Sequence, residues 1–94
     1  MATLLSDTTV DELLEEMVGW TREGNAIRKT YQWISFPAAM AFVTHVAFLA
    51  EAAGHHPDID IRYNKVTLSL TTHDAGGLTQ KDFDLAGQAD EIMS

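Results

Sequence analysis

The sequence predicts an α+β fold: a four-stranded, mainly antiparallel sheet with three helices packed on one face, in the order α-β-β-α-β-β-α. Three observations carry that expectation. Apolar residues recur at helical spacing in three stretches, the middle one apolar nearly all round. Alternating runs fall in two pairs between those stretches. The connections are short, and 94 residues leave room for one domain over 1–94.

The first helix is carried by Val10, Leu13, Leu14 and Met17, which share one helical face. Thr9 with Glu12 three residues later reads as a capping box at its start, and Asp11 and Glu12 suit the positive end of the dipole. Gly19 is the expected left-handed stop. Trp20-Thr21-Arg22, a Glu23-Gly24-Asn25 turn and Ala26 to Ile34 then read as a hairpin. Ile27, Tyr31 and Trp33 fall on one side of its second strand, Arg28, Thr30 and Gln32 on the other, and Lys29 breaks the pattern.

Ser35-Phe36-Pro37 is a helix start, with Ser as the cap and Pro in the first turn. The helix is expected to run to about Ala53 and to end at Gly54. Phe36, Met40, Val43, Ala47 and Ala50 form one apolar stripe; Phe42, Val46 and Leu49 form a second. One sheet cannot cover both, so the second stripe is expected to meet another subunit. Ile59, Ile61 and Tyr63 alternate with Asp60 and Arg62 as a strand, and Asn64 suits the positive φ of a tight turn. Lys65 to Thr71 alternates with Val66, Leu68 and Leu70 inward. After Ala75-Gly76-Gly77, Thr79 with Asp82 opens a last helix whose face carries Phe83, Ala86, Ala89 and Met93.

Composition removes several function classes. Six basic residues against fourteen acidic ones give a formal net charge of −8, which repels nucleic acid and anionic lipid. Without Cys there is no disulfide framework, thiolate metal site or cysteine nucleophile. The longest apolar run, Phe36 to Ala50, is interrupted by Thr44 and His45 and reads as too short for a bilayer. The segment Met1-Ala2-Thr3-Leu4-Leu5-Ser6-Asp7 lacks the basic and apolar regions of a signal peptide, so a cytoplasmic location is expected. A domain this small buries only part of its apolar surface alone, which favours a homo-oligomer.

Three of the four histidines stand at element ends: His55 and His56 after a helix, His73 after a strand. Loops held by rigid elements collect catalytic groups, and imidazole both gives and takes protons near neutrality. They are either polar loop residues or one acid–base cluster. A tri-histidine metal site is the weaker reading, because adjacent extended residues point to opposite sides. His45, mid-helix, reads as structural or interfacial. Glu51 is a solvated helix-end residue or the partner of an imidazole; Asp82 is a cap, an acid beside the cluster, or both. Trp20 and Tyr63 are core aromatics or a wall for a planar ligand. Gly76-Gly77 reads as a turn rather than a phosphate site.

Taken together, Glu51, His55-His56-Pro57, Tyr63, His73 and Asp82 resemble the pattern of the pterin-4a-carbinolamine dehydratase family. Tyr63-Asn64-Lys65-Val66, Thr72-His73-Asp74, Gly19-Trp20 and Gly77-Leu78-Thr79 look like the family as well, so the resemblance covers nearly the whole chain. One departure is Ile59, where many members carry an aromatic.

The resemblance implies a hydro-lyase that dehydrates 4a-hydroxytetrahydropterin to quinonoid dihydropterin and water, with no metal or other cofactor. It implies His55 and His73 as the acid/base pair, and His56 as a catalytic residue that mainly binds substrate and can share in proton transfer. Asp82 and Glu51 would orient imidazoles, and Trp20, Tyr63, Thr72 and Asp74 would contact the pterin. It also implies a dimer or tetramer serving an aromatic amino-acid hydroxylase. The alternatives are a non-catalytic dimerisation or coactivator module and a dehydratase-like protein acting on another pterin.

Overall fold

The computed structural model describes residues 2–93, with side chains over 2–92. Its elements are α1 (Asp7–Glu15), β1 (Thr21–Glu23), β2 (Ala26–Gln32), α2 (Phe36–Ala53), β3 (Asp58–Arg62), β4 (Lys65–Leu70) and α3 (Gln80–Met93), with a 3-10 turn at His73–Ala75. The strands form one sheet in the order β1-β2-β4-β3, and every neighbouring pair is antiparallel. The expected α+β order is therefore the observed one.

The alternation in β4 decides which face is covered. Val66, Leu68 and Leu70 are buried, as are Ile27 and Tyr31 of β2. The opposite face carries Arg28, Thr30, Gln32 and Thr67, where two threonine hydroxyls meet at 2.7 Å. The helices lie on the apolar face, α2 against β4 and α3 against α2. Phe42 of α2 sits between Tyr31 and Trp33, its ring centroid 4.6 Å and 4.8 Å from theirs.

Several local expectations are corrected. α1 begins at Asp7 with Ser6 as its cap, whose hydroxyl accepts the Thr9 N–H; the Thr9–Glu12 box does not form because Thr9 is already inside the helix. α1 ends at Glu15, so Gly19 takes its left-handed φ of 88° in the turn beyond, not at the helix end. The positive φ in the β3–β4 turn falls on Tyr63 (55°) rather than Asn64, whose side-chain amide instead donates to the Trp33 carbonyl. The expectation for Met93 lies outside the described side chains, as that for Met1 lies outside the described residues.

The second stripe of α2 is also corrected. Phe42 and Val46, with Ala39 and Ala50, are buried against the protein's own sheet, and Leu49 packs beside them. The face left outward holds Ala41, Thr44, His45, Ala47 and Phe48, with Phe48 73% exposed. At 18 residues α2 is, by length and composition alone, long and apolar enough to cross a membrane. Its packing on β4 and α3 buries 22% of it.

Lys29 breaks the β2 pattern for a physical reason. It points to the covered side, where Nζ meets Asp90 of α3 at 2.9 Å. The same carboxylate accepts the Tyr31 hydroxyl at 2.6 Å and the Trp20 indole N–H at 3.0 Å. Burial, then the hydrogen bond and charge of Asp90, push the Tyr31 hydroxyl far above its usual titration range, so it remains a donor. This cluster ties β2 to α3 and fixes how α3 crosses the sheet.

Candidate active site

His55 is placed by the end of α2. Gly54 adopts φ 62°, ψ 31°, a left-handed conformation that costs glycine little. The Gly54 N–H bonds the Glu51 carbonyl and the His55 N–H the Ala50 carbonyl, the paired closure of a Schellman motif. The chain is thereby turned back under the helix, and the His55 side chain is only 10% exposed.

Opposite it, β4 ends in a pinched loop. Thr72 and Gly77 exchange backbone hydrogen bonds, and the 3-10 turn between them presents His73 and Asp74 to solvent. Thr79 and Asp82 then start α3 as the spacing predicts: Asp82 Oδ2 accepts the Thr79 N–H at 2.9 Å.

Asp82 is fully buried and joins these pieces. Its Oδ1 lies 2.6 Å from His55 Nε2, and its Oδ2 also accepts the Thr72 hydroxyl at 2.8 Å. Thr72 has one proton and gives it to the carboxylate, so the Thr79 hydroxyl, 2.8 Å away, donates to Thr72. With Oδ2 accepting twice, Oδ1 takes the imidazole N–H. That leaves His55 Nδ1 as the nitrogen able to accept a proton. Asp82 is cap and imidazole partner at once.

Glu51 meets the other histidine. Its Oε1 is 2.9 Å from His56 Nε2, with both side chains largely exposed. Such a pair contributes at most about 1 kcal/mol.

The three histidines line one pocket of about 240 Å³, together with Gly54, Thr71, Thr72, Asp74 and Lys81. Among the described residues no group of three His or carboxylate side chains is disposed to hold a metal ion.

Thr72 lines the pocket at 6% exposure, with its hydroxyl proton taken up by Asp82. Two other expected site residues are placed elsewhere. Trp20 is 4% exposed and bonded to Asp90, two helical turns beyond Asp82. Tyr63, 70% exposed, lies in the β3–β4 turn. That turn is the other end of β4 from His73, about 20 Å along the strand. Within one chain, then, neither aromatic stands beside the histidines.

A family model described as Pterin 4 alpha carbinolamine dehydratase matches residues 3–92. The chain belongs to that family. A Roseiflexus sp. (strain RS-1) protein named as a candidate pterin-4-alpha-carbinolamine dehydratase is 75% identical, over 99% of this chain and 100% of its own length. A Chloroflexus aurantiacus (strain J-10-fl) protein of the same name is 65% identical, over 95% and 96%. The crystal structure of a transcriptional coactivator/pterin dehydratase from Brucella melitensis superposes with a TM-score of 0.92 at 29% identity, covering 96% of this chain and 98% of that one. A pterin dehydratase-like RuBisCO assembly factor of the alpha-carboxysome shares the fold at a TM-score of 0.64 and 22% identity, over 78% and 84%.

One residue of this dehydratase-family pocket escapes the motif. Lys81 is exposed, in the first turn of α3, and lines the histidine pocket. Its signal was there to read: a cation in the first turn of a helix opposes the macrodipole, an exception to a local rule.

Proposed function

We propose that this protein dehydrates a 4a-hydroxytetrahydropterin to the quinonoid dihydropterin and water, in recycling of the tetrahydropterin used by an aromatic amino-acid hydroxylase. The reading is carried by one observation: three imidazoles around a single pocket, one of them held in a defined tautomer by a buried carboxylate.

The chemistry needs an acid and a base. The C4a–oxygen bond breaks while the N5 lone pair forms the C4a=N5 double bond. Hydroxide leaves poorly, so an acid delivers a proton to it and water departs. A base takes the N5 proton, and the sum is one substrate giving one product and water. His55 Nδ1, freed by the Asp82 contact, suits the base; His73, exposed on its turn, suits the acid. His56 and Asp74 border the pocket as binding groups. Positioned acid–base groups contribute roughly 10²–10⁴-fold each.

The deciding experiment generates the 4a-hydroxytetrahydropterin with a hydroxylase and follows its loss spectroscopically. Added protein is expected to accelerate that loss well above the spontaneous rate; no acceleration would leave a binding module as the reading. That second reading draws on the outward face of α2 and on the coactivator description of the Brucella relative.

The same face supports a homo-oligomer. Phe48, 73% exposed amid Ala41, Thr44 and Ala47, is poorly placed in water and well placed against a second copy. Phe48→Glu is expected to shift the protein to monomer in sedimentation equilibrium, and an unchanged mass would discard this face as the contact.

A further inference from the structure

We propose that the groove leading from the histidine pocket past Lys81 receives an anionic group on the substrate's C6 substituent. The natural substrate is then a 4a-hydroxytetrahydropterin whose side chain ends in a phosphate or a carboxylate. This rests on the pterin reading above and names the substrate class for that same site.

The first argument is space. The histidine pocket measures about 240 Å³, below the roughly 300 Å³ at which ligand pockets ordinarily begin. It does not stand alone. A second cavity of about 120 Å³ shares Thr72, Asp74 and Lys81 with it. A third, of about 420 Å³, shares Ala2 and Lys81 with the second. The shared lining makes these one groove that runs from the imidazoles past Lys81, narrowing and then widening. The bicyclic ring is assigned to the imidazole end and a substituent to the wide one.

The second argument is charge. Among the described residues Lys81 is the one charged residue lining the wide end. Arg22, Arg28, Lys29 and Arg62 each pair with a carboxylate. Among the described residues Lys65 and Lys81 form no ion pair with a carboxylate, and of these two Lys81 is the one that lines the histidine pocket and both neighbouring cavities. Asp74 borders the narrow middle section, where it would repel an anion, so the favourable place for one is beyond it. An uncharged polyol side chain would gain nothing from the ammonium group.

The test is isothermal titration of the full chain with three stable probes: 7,8-dihydroneopterin, its 3′-phosphate, and 7,8-dihydrofolate. An anionic probe is expected to bind about fivefold more tightly than dihydroneopterin, the size of one exposed charge pair. The preference should shrink with added salt. It should collapse to about unity in Lys81→Met, while persisting in Lys81→Arg and in Lys65→Met, whose lysine lies at the far end of β4. A preference for the phosphate alone or for dihydrofolate alone identifies which anion the groove takes. Equal binding of all three by the unaltered protein, or a preference that survives Lys81→Met, would overturn the inference and leave the dehydratase reading standing. Binding of none of them would also overturn the inference, and the dehydration assay would then judge the pterin reading on its own.

Discussion

Replacing His55 and His73 together with alanine is expected to lower dehydration turnover by at least about 10³-fold, with each single change costing roughly 10²–10⁴-fold. The two losses should not add, because proton delivery to the leaving hydroxyl and removal of the N5 proton belong to one bond reorganisation. The structural costs differ sharply. His73 is exposed on a solvent-facing turn, so its truncation should move stability by no more than about 0.5 kcal/mol. His55 is the partner of a fully buried carboxylate oxygen at 2.6 Å, so His55→Ala leaves that oxygen unpaired, at about 1–3 kcal/mol. His55→Gln restores an N–H donor without a titrating nitrogen and separates the two effects. Thermal unfolding run beside the dehydration assay gives the comparison. Wild-type turnover in a folded double variant would end the assignment. His56→Ala should act differently: its ring and its Glu51 partner are both largely exposed, so KM should rise with little change in melting temperature.

What could be read in the sequence was whatever depends on spacing along the chain. Ser35-Phe36-Pro37, Gly54 and the Thr79–Asp82 pair mark helix ends through contacts three or four residues apart, and all three hold. The alternation of Lys65 to Thr71 placed β4 because a strand covered on one face must alternate. The three histidines were legible as a cluster because two helix–strand junctions bring them to the same edge. What depends on distant partners was not legible. Asp90 collects Trp20, Lys29 and Tyr31 from 70, 61 and 59 positions away, and no local rule announces such a cluster. Thr72 shows the same limit: nothing in its place beside His73 announces that its hydroxyl proton goes to Asp82, ten residues on. For α2, periodicity found two apolar stripes, but only packing against β4 decides which faces inward.

Asp82 offers the sharpest separation of fold from chemistry. Asp82→Ala removes the acceptor for three donors at once: His55 Nε2–H, the Thr72 hydroxyl and the Thr79 N–H. Each orphaned donor costs about 1–3 kcal/mol, and since they share one carboxylate the total should be on the order of 3–5 kcal/mol. That is a large part of the 5–15 kcal/mol typical of a whole domain, so a lowered urea midpoint is expected together with lost turnover. Asp82→Asn behaves differently because the amide keeps the size and one oxygen. That oxygen can still accept from Thr72 and Thr79, which puts the NH₂ toward His55. A donor there forces the imidazole proton onto Nδ1 and removes the nitrogen that would take the N5 proton. The Asn variant should therefore unfold at nearly the wild-type midpoint while losing about 10²–10⁴-fold in turnover, the scale seen when a histidine is held in the wrong tautomer. If instead it dehydrates the pterin at the wild-type rate, Asp82 is a helix cap and nothing more, and the base must be sought at His56 or His73.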